Sequence, residues 1–210
     1  MNSKGYIQVW DFLVRISHWS LVVLVFSAFV TGDEKSKIHI YIGTIIVFVI
    51  CIRVFWGFIG TEYARFSNFV HSPFRAVQYM NELIKGSPGY YIGHNPAAGW
   101  MVVFLLLVLS FVCASGYLAS GEKEKEGAEH RFSIVGYAYA DSDEEDDDED
   151  AGHEQAKKNE FWEEIHEGAS GALIGFIALH VIGALVSSRL HQENLVLAMF
   201  TGRKEERANA

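Results

Sequence analysis

The chain has 210 residues, half of them hydrophobic and 20% charged, with a net charge of −9 and a mean hydropathy of +0.14. That mixture does not suit an ordinary soluble domain unless the two classes are segregated, and here long apolar runs alternate with charged links. Cys51 and Cys113 stand far apart inside apolar runs, with no CxxC or CxxCH motif. A disulfide framework, a zinc ribbon and covalent c-type haem are therefore unsupported, both cysteines read as small buried hydrophobes, and no nucleic-acid partner is expected.

A membrane-crossing helix needs roughly 20 mainly apolar residues, and four stretches qualify, at 12–30, 38–59, 97–119 and 165–188. The first carries Arg15 and His18 and has no small-x-small cleavage site, so it reads as an uncleaved anchor. An even number of spans puts both termini on one side. The predicted fold class is an all-α integral membrane protein: a single domain over 1–210, forming a four-transmembrane-helix bundle with an interfacial helix and a disordered acidic outer loop.

The links between spans differ in kind. Residues 31–37 make a tight connection, whereas 60–96 carry their own helix signal. Ser72 suits an N-cap, Pro73 the first helical position and Gly86 a C-terminal stop. Phe74, Val77, Met80 and Ile84 recur at helical spacing, with polar residues off the stripe, as expected of a helix lying in the membrane interface. Asn95 followed by Pro96 looks like the start of the third span. Residues 121–164 contain 17 acidic and 5 basic residues, and Asp141 to Asp150 is acidic at every position but Ser142. Such a run repels itself and has nothing to bury, so disorder is predicted. Lysines and arginines near the span ends are too evenly spread for charge alone to orient the chain.

Ionisable residues within spans mark function by default, and His18, His39, His166 and His180 lie in or at the mouths of spans. His166 and His180 are 14 residues apart on the fourth span, within roughly 40° of one face and separated by about 21 Å of rise. The antiparallel course of the spans puts His18 and His180 near the side bearing the termini, and His39 and His166 near the far side. The pairs His18–His180 and His39–His166 can then each supply both axial nitrogens of a haem iron, in a bundle core suited to a flat cofactor. Two haems b are expected. A single membrane histidine is more often a hydrogen-bonded core residue, but four at two matched depths resist that explanation; a histidine-bound metal ion is the lesser alternative. His71, His94, His130, His153 and His191 lie in connections and read as solvated or capping. Gly168, Gly171 and Gly175 point away from His166 and read as a helix-packing face, leaving Leu173 and Ile177 between the two cofactor positions.

The ordered set of motifs resembles the prokaryotic cytochrome b561 family, which includes the b-type subunits of nickel-iron hydrogenases. It comprises Arg15-Ile-Ser-His18-Trp19, His39 with Gly43, Arg53-Val-Phe-Trp56-Gly57, Gly93-His94-Asn95-Pro96, His166-Glu167, His180-Val181 and the tail Glu193 to Met199 with Gly202 and Lys204. The likeness covers nearly the whole chain except the acidic segment. It implies a dihaem membrane cytochrome that exchanges electrons with a quinone pool from a bacterial inner membrane, with cytoplasmic termini.

His94 and Asn95 are candidates to hydrogen-bond a quinone carbonyl, against a helix-capping role. Arg15 and Arg53 are candidates to bind haem propionates, against contacts with lipid headgroups. The acidic block reads either as a solvated spacer or as a capture surface for a cationic periplasmic redox protein, such as a c-type cytochrome. Two other functions compete. One is superoxide or other small-molecule oxidoreduction with quinone as second substrate, which the −12 net charge of residues 121–164 disfavours because an anion needs a positive funnel. The other is a haem-free scaffold.

Overall fold

The computed structural model describes residues 5–32, 37–136 and 146–205, with side chains described outside 120–156. In chain order the elements are strand β1 (Tyr6–Gln8), helices α1 (Phe12–Thr31), α2 (Lys37–Ile59), α3 (Phe66–Phe69), α4 (Pro73–Ile84), α5 (Pro96–Gly136), α6 (Asp146–Leu190) and α7 (Leu195–Thr201), and strand β2 (Arg203–Glu205). Among the described residues four helices are long and apolar enough to cross a membrane, over Phe12–Thr31, Lys37–Ile59, Pro96–Ala119 and Lys157–Leu190. The first three agree with the sequence to within a residue, and the fourth begins earlier. Phe26, Phe48 and Phe55 are each more than 60% exposed within these spans. Side chains of that size require a hydrocarbon solvent rather than water.

The helix starts follow local chemistry. Asp11 caps α1, its Oδ1 accepting from Val14 N at 2.8 Å. Ser72 caps α4 with Pro73 in the first turn, and Gly86 follows with a left-handed φ of 76°. Asn95 Oδ1 accepts from Ala98 N at 2.8 Å at the start of α5. On α4 the stripe of Phe74, Val77, Met80 and Ile84 is exposed, while Tyr79 on the other face is buried. The apolar stripe thus points away from the protein, as an interfacial helix requires.

The sequence predicts an irregular acidic segment over 121–164, but helix continues through much of it, from the third span to Gly136 and again from Asp146. Nucleation is the costly step of helix formation, and each span is already a formed helix onto which Glu, Lys and Ala add readily. Residues 137–145, with the first half of the acidic block, lie outside the described residues.

The chain divides into two compact units, residues 1–107 with 174–210, and residues 108–173. In the first unit, α1 packs along α2, and strands β1 and β2 pair antiparallel with Ile7 opposite Lys204. Val9 N and Trp10 N both donate to Gly202 O, at 2.8 and 3.0 Å. Beneath this clasp Val9, Trp10, Val14, Ala64 and Ala198 form a buried cluster, with Trp56, Tyr63 and Met199 packed against it. Each large side chain fully buried there contributes about 1.5–3 kcal/mol. In the second unit, Leu109, Val112 and Ser115 of α5 and Asn159 and Leu173 of α6 are buried.

Candidate functional site

On α6 the buried residues Asn159, Leu173 and Ser187 fall at seven-residue intervals that also include His166 and His180. Seven residues are almost two full turns, so all five share one face. Leu173 is 5% exposed. The glycine face behaves otherwise: Gly168, Gly171 and Gly175 have no heavy atom of the described residues within 4 Å of a built Cβ. The expected packing face is open because those positions turn away from the buried stripe.

His166 lies in the second unit. Its Nδ1 lies 2.9 Å from Val112 O and 3.2 Å from Ser115 Oγ, and the Ser115 hydroxyl donates to the same Val112 carbonyl at 2.9 Å. A carbonyl only accepts, so Nδ1 carries the proton and the lone pair of a neutral ring resides on Nε2. Gly116 makes room for the ring, since a Cβ there would come within 2.8 Å of His166 Cε1. Sequence reasoning missed Ser115 and Gly116; the one available signal is a Ser-Gly pair inside an otherwise apolar run.

His39, in the first unit, repeats this arrangement. Its Nδ1 lies 3.0 Å from Ala28 O of α1, which again fixes the proton on Nδ1 and the lone pair on Nε2.

The termini side of the first unit gathers His18, His180, His94 and Arg53. His180 is close enough to His18 for their charges to interact, and His94 feels the charges of Arg53, Lys204 and His180. His18 Nδ1 is buried with no hydrogen-bond partner among the described residues, as are Trp19 Nε1, Arg15 Nε, Arg53 Nη1 and His94 Nδ1. His18 meets Trp19 edge-on with ring centroids 5.2 Å apart, and Trp19 stacks on Phe200 of α7 at 4.1 Å.

Arg53 is only 5% exposed. Its guanidinium lies 5.6 Å from the centroid of Phe66, and Gly57 leaves the space that ring fills. The nearby Asp11 carboxylate is heavily used: besides its cap, Oδ2 accepts from Trp56 Nε1 at 2.9 Å and from Thr61 Oγ1 at 2.6 Å. Burial alone raises the Asp11 carboxyl, but hydrogen bonds from Thr61, Val14, Trp56 and Leu13 outweigh it and hold the group below the usual carboxylate range. Arg15 donates to the Phe200 carbonyl, tying α7 to α1.

His94 is not solvated, contrary to one sequence expectation. Its ring packs between Trp10 and Phe69, with centroids 4.5 Å from each. Burial, then the positive charges of Arg53 and Lys204 and the neighbouring His180, lower its pKa to about 3. Asn95 serves as the cap described above, leaving its amide NH2 as the group able to meet a ligand. His71 donates from Nδ1 to Phe69 O at 2.9 Å, and His191 lies 3.4 Å from the Tyr79 hydroxyl, so both are held rather than solvated. The side chains of His130 and His153 lie outside the described residues. Both cysteines are free thiols, and Cys51 is exposed on its span rather than buried.

These residues fit haem. A pair of imidazoles suffices only for a metal that brings its own equatorial ligands, as haem iron does. The Nδ1–H to carbonyl bonds of His39 and His166 hold each ring in one orientation and make Nε2 its basic nitrogen. Comparison with known proteins agrees. A family model for prokaryotic cytochrome b561 matches residues 9–202. The "Probable Ni/Fe-hydrogenase B-type cytochrome subunit" of Rhizobium leguminosarum bv. viciae is 20% identical over 228 residues, covering 94% of this chain and 88% of that protein. No solved structure gives a significant match. With nearly the whole chain matched, the protein belongs to the prokaryotic cytochrome b561 family and is a multi-pass, haem-binding membrane cytochrome of electron transport.

Proposed function

We propose that this cytochrome binds two haems b, one held by His18 and His180 and one by His39 and His166, and passes electrons between a membrane quinone pool and a redox protein. The observation that carries the reading is the matched fixing of His39 and His166, each with Nδ1–H on a backbone carbonyl. When bound, haem supplies one-electron exchange between ferric and ferrous iron. The protein's residues do the rest. His39 and His166 present Nε2, and their hydrogen bonds at Nδ1 restrain ring rotation and raise ligand basicity. Arg53, and Arg15 through an Nε with no hydrogen-bond partner among the described residues, receive the carboxylates of the termini-side haem, because the buried Arg53 guanidinium favours an anion beside it. The apolar spans exclude water from the electron's route.

The quinone is proposed at the Gly93–Pro96 turn, where the Asn95 amide can donate to a carbonyl and His94 lies within electrostatic reach of His180. The setting is a bacterial inner membrane with cytoplasmic termini, supported by the family motifs. The redox partner is proposed to be a cationic periplasmic protein, such as a c-type cytochrome, attracted by the acidic run Asp141 to Asp150. The relative named as a hydrogenase subunit makes a hydrogenase the other partner to test.

Haem stoichiometry tests the core of this reading. Pyridine haemochrome analysis should give two non-covalent haems per chain, and His166→Ala or His180→Ala should each remove one and spare the other. Loss of the same spectral component in His39→Ala and His180→Ala variants would refute the pairing. For the partner, electron exchange with a lysine-rich cytochrome should fall by about 10- to 1000-fold from low to high salt. Replacing the carboxylates of 143–150 with Asn and Gln should slow the exchange at low salt and flatten that dependence. Steady-state superoxide consumption distinguishes the oxidoreductase alternative, which needs an anion funnel where this chain has an acid-rich segment.

A further inference from the structure

Where α6 leaves the membrane, its last turns, the link at 191–194 and the start of α7 enclose an open cleft of about 420 Å3. That is the size of a small-molecule site. We propose that this cleft holds the headgroup of one anionic phospholipid, with the Arg189 guanidinium on its phosphate and an acyl chain along the outer face of α6. The proposal needs the membrane spans alone, and it stands apart from the haem and quinone assignments.

The course of α6 favours a lipid over a soluble anion. Leu185 and Arg189 each lie two residues from the buried Ser187, which puts both about 160° round the helix from it. Ile182 on the same outer face is 57% exposed and Leu185 is 51% exposed, so hydrocarbon is the solvent of this face. The face runs into the cleft, where Leu185 forms one wall and the exposed Val196 of α7 the other. Arg189 stands in the last turn of α6, and the apolar span ends at Leu190. A phospholipid is built in that same order, with hydrocarbon first and then a phosphate at the level where a long cationic side chain reaches water.

The polar lining selects an anion. The Arg189 side chain makes no ion pair or hydrogen bond among the described residues. Glu193, the acid of the lining, is paired with Lys204 at 3.1 Å. An ammonium headgroup would meet a carboxylate already neutralised, whereas a phosphate meets a guanidinium that can bind two of its oxygens at once. The carbonyl end of a helix ordinarily disfavours an anion, but here that end is closed. The carbonyls of Ser187, Ser188 and Arg189 accept from the N–H groups of His191, Glu193 and Gln192 at 3.0, 3.0 and 3.3 Å. Gln192 makes this closing turn with a left-handed φ of 48°, a conformation that favours glycine. A glutamine there adds an amide to the lining, and its NH2 can donate to a further phosphate or glycerol oxygen. Asn194 uses its Oδ1 to accept from Leu197 N at 2.8 Å, which leaves its NH2 for the same purpose.

Purified holoprotein, stripped of lipid by detergent exchange, tests the proposal through native mass spectrometry and thermal unfolding. Dioleoylphosphatidylglycerol should be retained as a single bound molecule per chain and should raise the melting temperature. Dioleoylphosphatidylcholine should bind about fivefold to tenfold more weakly. Arg189→Gln should weaken phosphatidylglycerol binding by about tenfold, as expected for loss of a hydrogen-bonded charge contact, with Arg189→Lys in between. Leu185→Ser should also weaken it, since the acyl wall is shortened, and Arg75→Gln, at an exposed cation on α4, should leave it unchanged. Haem absorbance and the lipid-free melting temperature should stay native in every variant, so that lost binding reports on the cleft and not on folding. Equal affinity for the two lipids, or equal losses in Arg189→Gln and Arg75→Gln, would overturn the proposal in favour of diffuse contact with the bilayer. Glycerol 3-phosphate that protects as well as the lipid at equal concentration would overturn it too, because the occupant would then be a soluble phosphate.

Discussion

In each compact unit one histidine is fixed by a carbonyl of a neighbouring membrane helix, Ala28 of α1 for His39 and Val112 of α5 for His166. On the termini side, His18 meets Trp19 edge-on, with Trp19 stacked on Phe200 and Arg15 bound to the Phe200 carbonyl, beside a cluster on α1 assembled from both ends of the chain and the 60–96 connection. Apolar helices packed side by side have carbonyls available wherever a serine or glycine lets a ring approach, so a far-side histidine needs only its own helix and one more. The termini side buries charged groups, and these must be held by many segments at once. One end should therefore fail locally and the other cooperatively.

The largest expected effect comes from loosening the cooperative end. Asp11→Ala removes a helix cap and two further hydrogen bonds to a carboxylate, worth about 2–4 kcal/mol together. Thermal unfolding in detergent should show that loss, accompanied by a change in the haem component retained in His166→Ala. If only the component retained in His180→Ala responds, the contrast between the two ends is wrong.

A smaller effect is expected at the local end. Gly116→Ala forces a Cβ to within 2.8 Å of His166 Cε1, so the ring must move and its bond to Val112 stretch, at about 1–3 kcal/mol. The far-side absorption band should shift while the other stays put. Gly168→Ala and Gly175→Ala, where a Cβ meets open space, should do the opposite and leave stability equal or slightly raised, since alanine favours helix over glycine. A loss of stability in these variants comparable with that of Gly116→Ala would show that the glycine face is used after all.

The smallest effect is in pH dependence. His94 is kept neutral, its pKa lowered to about 3 by burial and by Arg53, Lys204 and His180. The unfolded chain takes up a proton at this residue near pH 6.5 whereas the folded chain resists, so this contribution is full above pH 6.5 and is lost as pH falls toward 3. The loss amounts to about 1 kcal/mol one pH unit below 6.5. His94→Phe, which keeps an aromatic ring between Trp10 and Phe69, should flatten the melting temperature between pH 7 and pH 5. An unchanged slope in that variant would assign the acid sensitivity to other groups.

By itself the sequence determined the four spans, the caps at Ser72 and Asn95 and the four histidines, because each is written in local composition or in helical periodicity. Spacing alone placed His166 and His180 on one face of α6, and the buried positions at 159, 173 and 187 lie on that same face. Tertiary structure alone decided the rest. A strand of three residues carries no period to read, so the pairing of Tyr6–Gln8 with Arg203–Glu205 is invisible until the two ends of the chain meet. The burial of Arg53, the packing of His94 between two aromatic rings and the engagement of Asp11 by Trp56 and Thr61 depend on which segments converge. The protons on His39 and His166 were likewise fixed only by carbonyls from other helices, since a ring's tautomer follows its hydrogen-bond partner and a linear sequence does not name that partner.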